Sequence, residues 1–276
     1  MALDDPVVIT VAPTGPLTTR ENHPGLPVHP AEIGAAVAEA AEAGAAVAHV
    51  HARGEDEKPT ADPEIYAAIA AEIRSRCDIV VQASTGVGLE VSCEDRLSIV
   101  TSGRVDVAMA TLNPGSMTFG KGTFNNPPWF VEALAAALRE RGMLPELELY
   151  DFGHVGLCLD LVRRGLVQEP LQFSFVMGVH GGMPGDPALL PQLIAMLPEG
   201  SAWQAIGVGR AQLPLSLAAL ALGGNLRVGF EDNVYFRRGE LAESNAQFVR
   251  RAADLVHTAG REVATPAQVR ERLGVK

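Results

Sequence analysis

Short apolar runs rich in β-branched residues alternate with longer Ala/Leu-rich segments of helical period along the whole chain. Runs of that kind read as parallel strands covered on both faces, joined by right-handed helical crossovers. The apolar runs fall at residues 7–12, 45–51, 79–84, 105–111, 147–151, 172–177, 203–207 and 226–230. Helical segments fall at 30–43, 63–76, 93–100, 128–141, 155–164, 187–197, 212–222 and 241–258. Punctuation supports the reading: Pro30 and Pro128 open helices, Gly44 ends the first, and Asp62 caps the second with Pro63 at its first position. Eight β-then-α units without a linker predict an α/β fold, one (β/α)₈ TIM barrel forming a single domain over residues 1–276. A short C-terminal helical extension is expected within 262–276, beginning at Thr265-Pro266. A doubly wound open sheet is the alternative.

Composition narrows the function. Hydrophobic residues are 47% of the 276 and charged residues 20%, which suits a folded core rather than a disordered chain. A net charge of −11 argues against a nucleic-acid partner, since phosphate binding needs clustered Lys and Arg. Cys77, Cys93 and Cys158 are odd in number and form no C-x-x-C pair, so free thiols in a reducing cytoplasm are expected. The N-terminal Met1-Ala2-Leu3-Asp4-Asp5 is unlike a signal peptide. No apolar stretch approaches the ~18 residues of a membrane span. A cytoplasmic location and no membrane partner follow as expectations.

Polar or Gly-rich clusters stand at the C-terminal ends of the strands. They include Thr14-Gly15, His49-Val50-His51, Ser84-Thr85-Gly86, Thr111-Leu112-Asn113, Asp151 to His154, Gly178-Val179-His180, Gly207 to Arg210 and Glu231-Asp232-Asn233. In a barrel these ends share one face, where active sites are built. His49 and His51 point the same way from a strand end. Neutral imidazoles suit zinc, although two hydrogen-bonded histidines would read the same way. Glu231 is the candidate third ligand, because strands two and eight both flank strand one. Two His and one carboxylate leave an open position, as in catalytic zinc sites. Arg227 shares strand parity with Glu231 and needs a partner if buried. That partner is a salt bridge inside the barrel, a substrate carboxylate, or Asp232. Asp232 is itself either a general base or a cap of the final helix.

Several of these motifs together resemble one family, the β-keto acid cleavage enzymes. The resemblance rests on His49-Val50-His51, Gln82-Ala83-Ser84-Thr85-Gly86, Met109-Ala110-Thr111-Leu112, Gly207-Val208-Gly209-Arg210 and, above all, Arg227 to Tyr235. It covers nearly the whole chain. It implies Zn²⁺ on His49, His51 and Glu231, acting as a Lewis acid on a β-keto acid. It implies Asp232 as the base at C2, Arg227 as an orienting residue, and Ser84 and Thr111 as substrate contacts, beside the loop that carries Thr14, Gly15 and Leu17. Acetyl-CoA is the implied co-substrate, with acetoacetate and a new acyl-CoA as products. A homo-oligomer such as a tetramer is also implied. In the aminated-substrate member an acidic residue stands where this chain has Leu17. An uncharged or apolar β-keto acid is therefore expected.

Three rival readings use the same residues. An amidohydrolase-like hydrolase would place His154, His180 and Asp232 around a metal, but it carries its H-x-H after the first strand rather than the second. A non-catalytic metabolite-binding barrel and an aldolase-like enzyme without CoA are the others. His154 and His180 read best as loop histidines near the site mouth, and Arg210 as either a CoA-phosphate contact or a surface residue.

Overall fold

Eight parallel strands close on themselves in a computed structural model that describes residues 3–275. Met1 and Ala2 of the acidic N-terminal stretch, and Lys276 at the end of the expected C-terminal extension, lie outside them. In chain order the elements are β1 (Ile9–Val11), α1 (Pro30–Glu42), β2 (Val47–Val50), β3 (Ala52–Arg53), β4 (Pro59–Thr60), α2 (Pro63–Arg74), β5 (Val80–Ala83) and α3 (Cys93–Thr101). There follow β6 (Met109–Leu112), β7 (Met117–Phe119), β8 (Gly122–Phe124), α4 (Pro128–Arg141), β9 (Leu144–Leu149), α5 (Phe152–Arg163), β10 (Gln172–Met177) and α6 (Leu190–Ala195). The chain ends with β11 (Ala202–Gly207), α7 (Gln212–Ala221), β12 (Asn225–Val228), β13 (Tyr235–Arg237), β14 (Glu240–Leu241), α8 (Asn245–Thr258) and α9 (Pro266–Leu273). The barrel runs β1-β12-β11-β10-β9-β6-β5-β2 and back to β1. The TIM barrel expected from the alternation is therefore the fold, and the open sheet is excluded.

Its core is the shell between strands and helices. Ile9, Val11, Ile33, Val37, Phe173, Phe175 and Phe248 all belong to it, and α8 packs against both α1 and β1. Inside the barrel floor, Val8, Val47, Val80, Met109 and Leu144 pack on Val269 and Leu273 of α9. That helix closes the N-terminal mouth of the barrel. Thr265 and Gln268 start it with a reciprocal capping box. Cys77, Cys93 and Cys158 are free. No helix among the described residues is long and apolar enough to cross a membrane.

Several boundaries move for local reasons. Helix α5 begins at Phe152, before residue 155, because the Asp151 side chain accepts the Gly153 amide. Helix α8 begins only at Asn245, because Leu241 pairs with Tyr235 in a hairpin and Ser244 supplies the cap. The 187–197 segment splits into a 3₁₀ turn and the short α6. Three two-stranded hairpins, β3–β4, β7–β8 and β13–β14, occupy loops that the alternating pattern left blank.

The eighth strand is the most constrained. Gly229 follows β12 with φ 143°, and a Cβ added there would overlap the Ala12 carbonyl of the neighbouring chain segment. Backbone meets backbone, so no rotamer change relieves it. Gly229→Ala is expected to lower stability by on the order of 1–3 kcal/mol from backbone strain alone. Urea denaturation of the variant checks this, and an unchanged midpoint would contradict it.

Candidate active site

His49 lies in β2 and His51 immediately beyond it, while Glu231 follows β12. Strand β1 separates them, pairing Val11 with Ala48 on one side and with Val228 on the other. The close approach of Gly15 completes the arrangement, since any Cβ there would overlap the Glu231 side chain. His49 Nε2 lies 3.4 Å from Glu231 Oε2, and His51 Nε2 lies 3.2 Å from Glu231 Oε1. All three ligand atoms fit within 4.8 Å of one another. His49 Nε2 and Glu231 Oε2 are buried yet make no hydrogen bond. Orphaned buried acceptors of this kind are costly unless something polar fills the gap. An N₂O donor set around an orphaned centre fits a divalent transition metal such as zinc.

Arg227 stands beneath this trio, fully buried among three carboxylates. Its Nε and Nη2 each donate to Asp232 at 3.0 Å, Nη2 also reaches Glu231 Oε1 at 2.5 Å, and Nη1 reaches Glu148 Oε1 at 3.1 Å. Asn113 Nδ2 holds the other Glu148 oxygen at 2.8 Å. Burial opposes charge on Arg227, but Asp232, Glu231 and Glu148 together keep it cationic. Burial also opposes charge on Glu231, and Arg227 with the two histidines overcomes it and holds the carboxyl well below its ordinary range. Asp232 behaves differently: burial outweighs Arg227, Glu231 adds repulsion, and its pKa is pushed up to about 6. Burial likewise pushes Glu148 up, against the pull of Arg227. His51 is held down by burial, as a neutral ligand requires. His49 is pushed up: burial and Arg227 oppose its charge, but the Glu231 and Glu148 carboxylates outweigh them. One guanidinium facing three carboxylates leaves the cluster rich in negative charge, and a dication offsets that excess as well as a proton does.

The cluster opens into a cavity of about 450 Å³ on the C-terminal face. Ser84 and Leu17 line it, as do His51, Arg227, Glu231 and Asp232. Ser84 Oγ accepts from the Gly86 amide. Thr111 sits behind this wall, accepting from the Thr85 amide and so holding the Ser84-Thr85-Gly86 turn. Thr14 is wholly buried with its hydroxyl unpartnered. Arg53 clamps the first loop by donating to the carbonyls of Gly15 and Thr18. His154 turns away from the metal-ligand trio, with Nδ1 accepting the Tyr150 amide. His180 lines the cavity mouth against Gly120 of the β7–β8 hairpin. Arg210 is exposed in a 3₁₀ turn. Sequence reasoning missed Glu148 and Tyr150, and the hairpin's Phe119, Lys121 and Phe124, all in the wall. The alternation Leu147-Glu148-Leu149 held the clue to the first, as a charge in an apolar strand.

Comparison with known proteins decides between the rival readings. The model of the beta-keto acid cleavage enzyme family matches residues 6–275. The chain belongs to that family. It is 36% identical over 272 residues to the 3-keto-5-aminohexanoate cleavage enzyme of Fusobacterium nucleatum subsp. nucleatum, covering 98% of each chain. It is 35% identical to the 3-oxoadipate:acetyl-CoA acetyltransferase of Cupriavidus necator, over 99% of this chain and 96% of that one. Its fold is similar to a solved complex of ObcA with oxaloacetate, at TM-score 0.81 and 21% identity, covering 91% of this chain and 68% of that one. The family sets aside the hydrolase and the non-catalytic barrel.

The ion cluster makes stability depend on pH once its cation is removed. Arg227→Met leaves Glu148, Glu231 and Asp232 buried without a cation. Asp232 and Glu148, already above the unfolded value of about 4, should then rise further, and Glu231 should lose the guanidinium that holds it down. Such carboxyls are tolerated when protonated and penalised as pH rises through the raised values. The variant should lose about 3–5 kcal/mol near pH 8, as when one partner of a buried pair is removed. Near pH 5 it should lose much less. Urea melts of metal-free protein at both pH values decide, and an equal loss at both would refute the electrostatic account.

Proposed function

We propose that this enzyme transfers the acyl part of a β-keto acid to CoA from acetyl-CoA, using zinc held by His49, His51 and Glu231, on a substrate with an uncharged or apolar far end. The observation that carries the reading is the Asp232 carboxylate. It is fixed by two parallel hydrogen bonds from Arg227, adjoins a metal-ligand residue, and faces the cavity. The acetyl-CoA transferase name of the Cupriavidus necator relative supports the second substrate.

When bound, the zinc would act as a Lewis acid on the substrate's keto group. Asp232 removes a proton from C2, and its fixed oxygens keep the accepting lone pair aimed at the cavity. Arg227 stays charged throughout and holds the protonated or ionised carboxyl in one orientation. The C2 carbon bonds to the acetyl carbonyl carbon, and CoA leaves as thiolate. CoA then takes the original acyl group as the C2–C3 bond breaks. Asp232 returns its proton to C2, so that acetoacetate carries away the C1–C2 unit with the acetyl group, and the remainder leaves as acyl-CoA. Ser84, beside the ligands in the wall, is a polar contact for the substrate.

Two variants test the roles together. His49→Ala should lose the roughly one zinc per chain that elemental analysis finds in the parent. Asp232→Asn should keep its zinc but lose C2 proton exchange and turnover by on the order of 10²-fold or more. Full metal in the first, or parental exchange in the second, would reject the corresponding role.

The wall argues for the substrate class. Leu17, Leu89, Phe119, Phe124, Val176, Val179 and Val208 line it, and each of its acidic residues is held by Arg227. Lys121 is its remaining unambiguous cation. An ammonium at the far end of a substrate would meet a like charge and no available carboxylate, at considerable cost. Each methylene buried against this wall contributes roughly 0.8 kcal/mol. Tenfold or greater preference in kcat/KM for a medium-chain β-keto acid over 3-keto-5-aminohexanoate is expected, narrowing in Leu17→Glu. A parent that prefers the aminated acid would overturn the substrate assignment.

A further inference from the structure

The barrel interior carries a second polar arrangement below the ligands. His49 Nδ1 lies 2.7 Å from Gln82 Oε1, and Gln82 Nε2 lies 2.7 Å from Glu146 Oε2. Register places His49 directly opposite Gln82 on β5, and Glu146 reaches Gln82 from β9 across the intervening β6, where it stands opposite Thr111. His49 and Gln82 are 0% exposed and Glu146 is 4% exposed, so water does not compete for these bonds. Gln82 is part of a motif read above only for its Ser84, and nothing in the proposed chemistry uses Glu146.

The order of donors along this line is forced. The Gln82 amide nitrogen, a donor only, is the atom that faces the Glu146 carboxyl oxygen. Glu146 therefore takes the amide NH₂ of Gln82, which turns the Gln82 carbonyl toward His49. A carbonyl only accepts, so His49 Nδ1 must carry a hydrogen. The other nitrogen, Nε2, is then the one position free to hold either a proton or a cation, and it is the atom that faces Glu231. If Gln82 were reversed, its NH₂ would meet the Glu146 carboxylate no longer, and its NH₂ would instead seek a lone pair on Nδ1. Nε2 would then carry the hydrogen and could not ligate.

We propose that Glu146, through Gln82, sets the tautomer of His49 and thereby the metal affinity of the site. Both are positioning residues. Neither touches the substrate cavity, and Glu146 touches no ligand. The inference rests on the metal reading above and adds to it a reason for the buried charge in β9.

The test uses zinc alone with the full chain, titrated against a chromophoric chelator, together with nitrogen-15 spectra of histidine-labelled protein. Gln82→Met should weaken zinc about 10–100-fold, the usual cost of removing a partner of a ligating histidine. Glu146→Gln has the same shape, so the fold is retained, but its amide can face either way. It should weaken zinc less, in the same direction, and broaden or shift the hydrogen-bonded His49 Nδ1–H resonance. Unchanged zinc affinity in Glu146→Gln overturns the relay, as does a hydrogen on His49 Nε2 in the zinc-loaded parent. A parent that binds no zinc would instead sink the metal reading, and the Nδ1–H resonance of the metal-free chain would still report the relay.

Discussion

Everything on the C-terminal face depends on one buried guanidinium. Arg227 holds Glu148, Glu231 and Asp232 from the centre of the barrel, where an uncompensated charge of either sign would be costly. The planar fork of arginine matters here, because Asp232 takes two parallel bonds from adjacent nitrogens while Glu148 and Glu231 take the remaining directions. A lysine offers a point charge and would not fix three carboxylates in three orientations. The result is a set of acids with divergent character. Glu231 is held strongly ionised, suited to a metal, while Asp232 is pushed up toward neutrality, suited to taking and returning a proton.

The barrel supplies the precision that the cluster needs. Ligands from β2 and from beyond β12 meet only because β1 lies between those strands and its own loop contributes no bulk where Gly15 passes Glu231. Gly229 performs the same service against Ala12. Arg53 and Arg96 then tie the surrounding loops to carbonyls. Arg96 donates to Thr85 and Asn125 while stacked between Phe124 and Phe130, and so links the Ser84 turn to the β7–β8 hairpin. Long side chains thus brace the loops from within, alongside backbone bonds such as Gly120 N–H to His180 and Gly209 N–H to Asp232.

Much of the fold was legible because parallel strands buried on both faces leave an unmistakable apolar run, and several helices announce their starts with a capping Asp or Ser or an opening Pro. The parity of His49 with His51, and of Arg227 with Glu231, was legible for the same reason: strand geometry alternates strictly. The hairpins were not legible. β3, β7 and β13 have two or three residues each, too few for an alternating pattern, and their pairing is decided by the loops they close. That is why Phe119, Lys121 and Phe124 came into the cavity wall unannounced. Thr111 illustrates the opposite difficulty. Its motif pointed to the site, yet its hydroxyl is spent on the Thr85 amide.

By itself, then, the amino-acid sequence determined the barrel, the face on which the site lies, the family, and the residues able to hold a metal, since all of these follow from local periodicity and short motifs. Only the tertiary structure decided which acids share Arg227, that Glu148 belongs to the cluster, that His154 faces away from it, and that Gln82 stands between His49 and Glu146. Those outcomes depend on the stagger between neighbouring strands. Sequence spacing carries no record of stagger, because a shift of two residues preserves every side chain's face while changing every partner it meets.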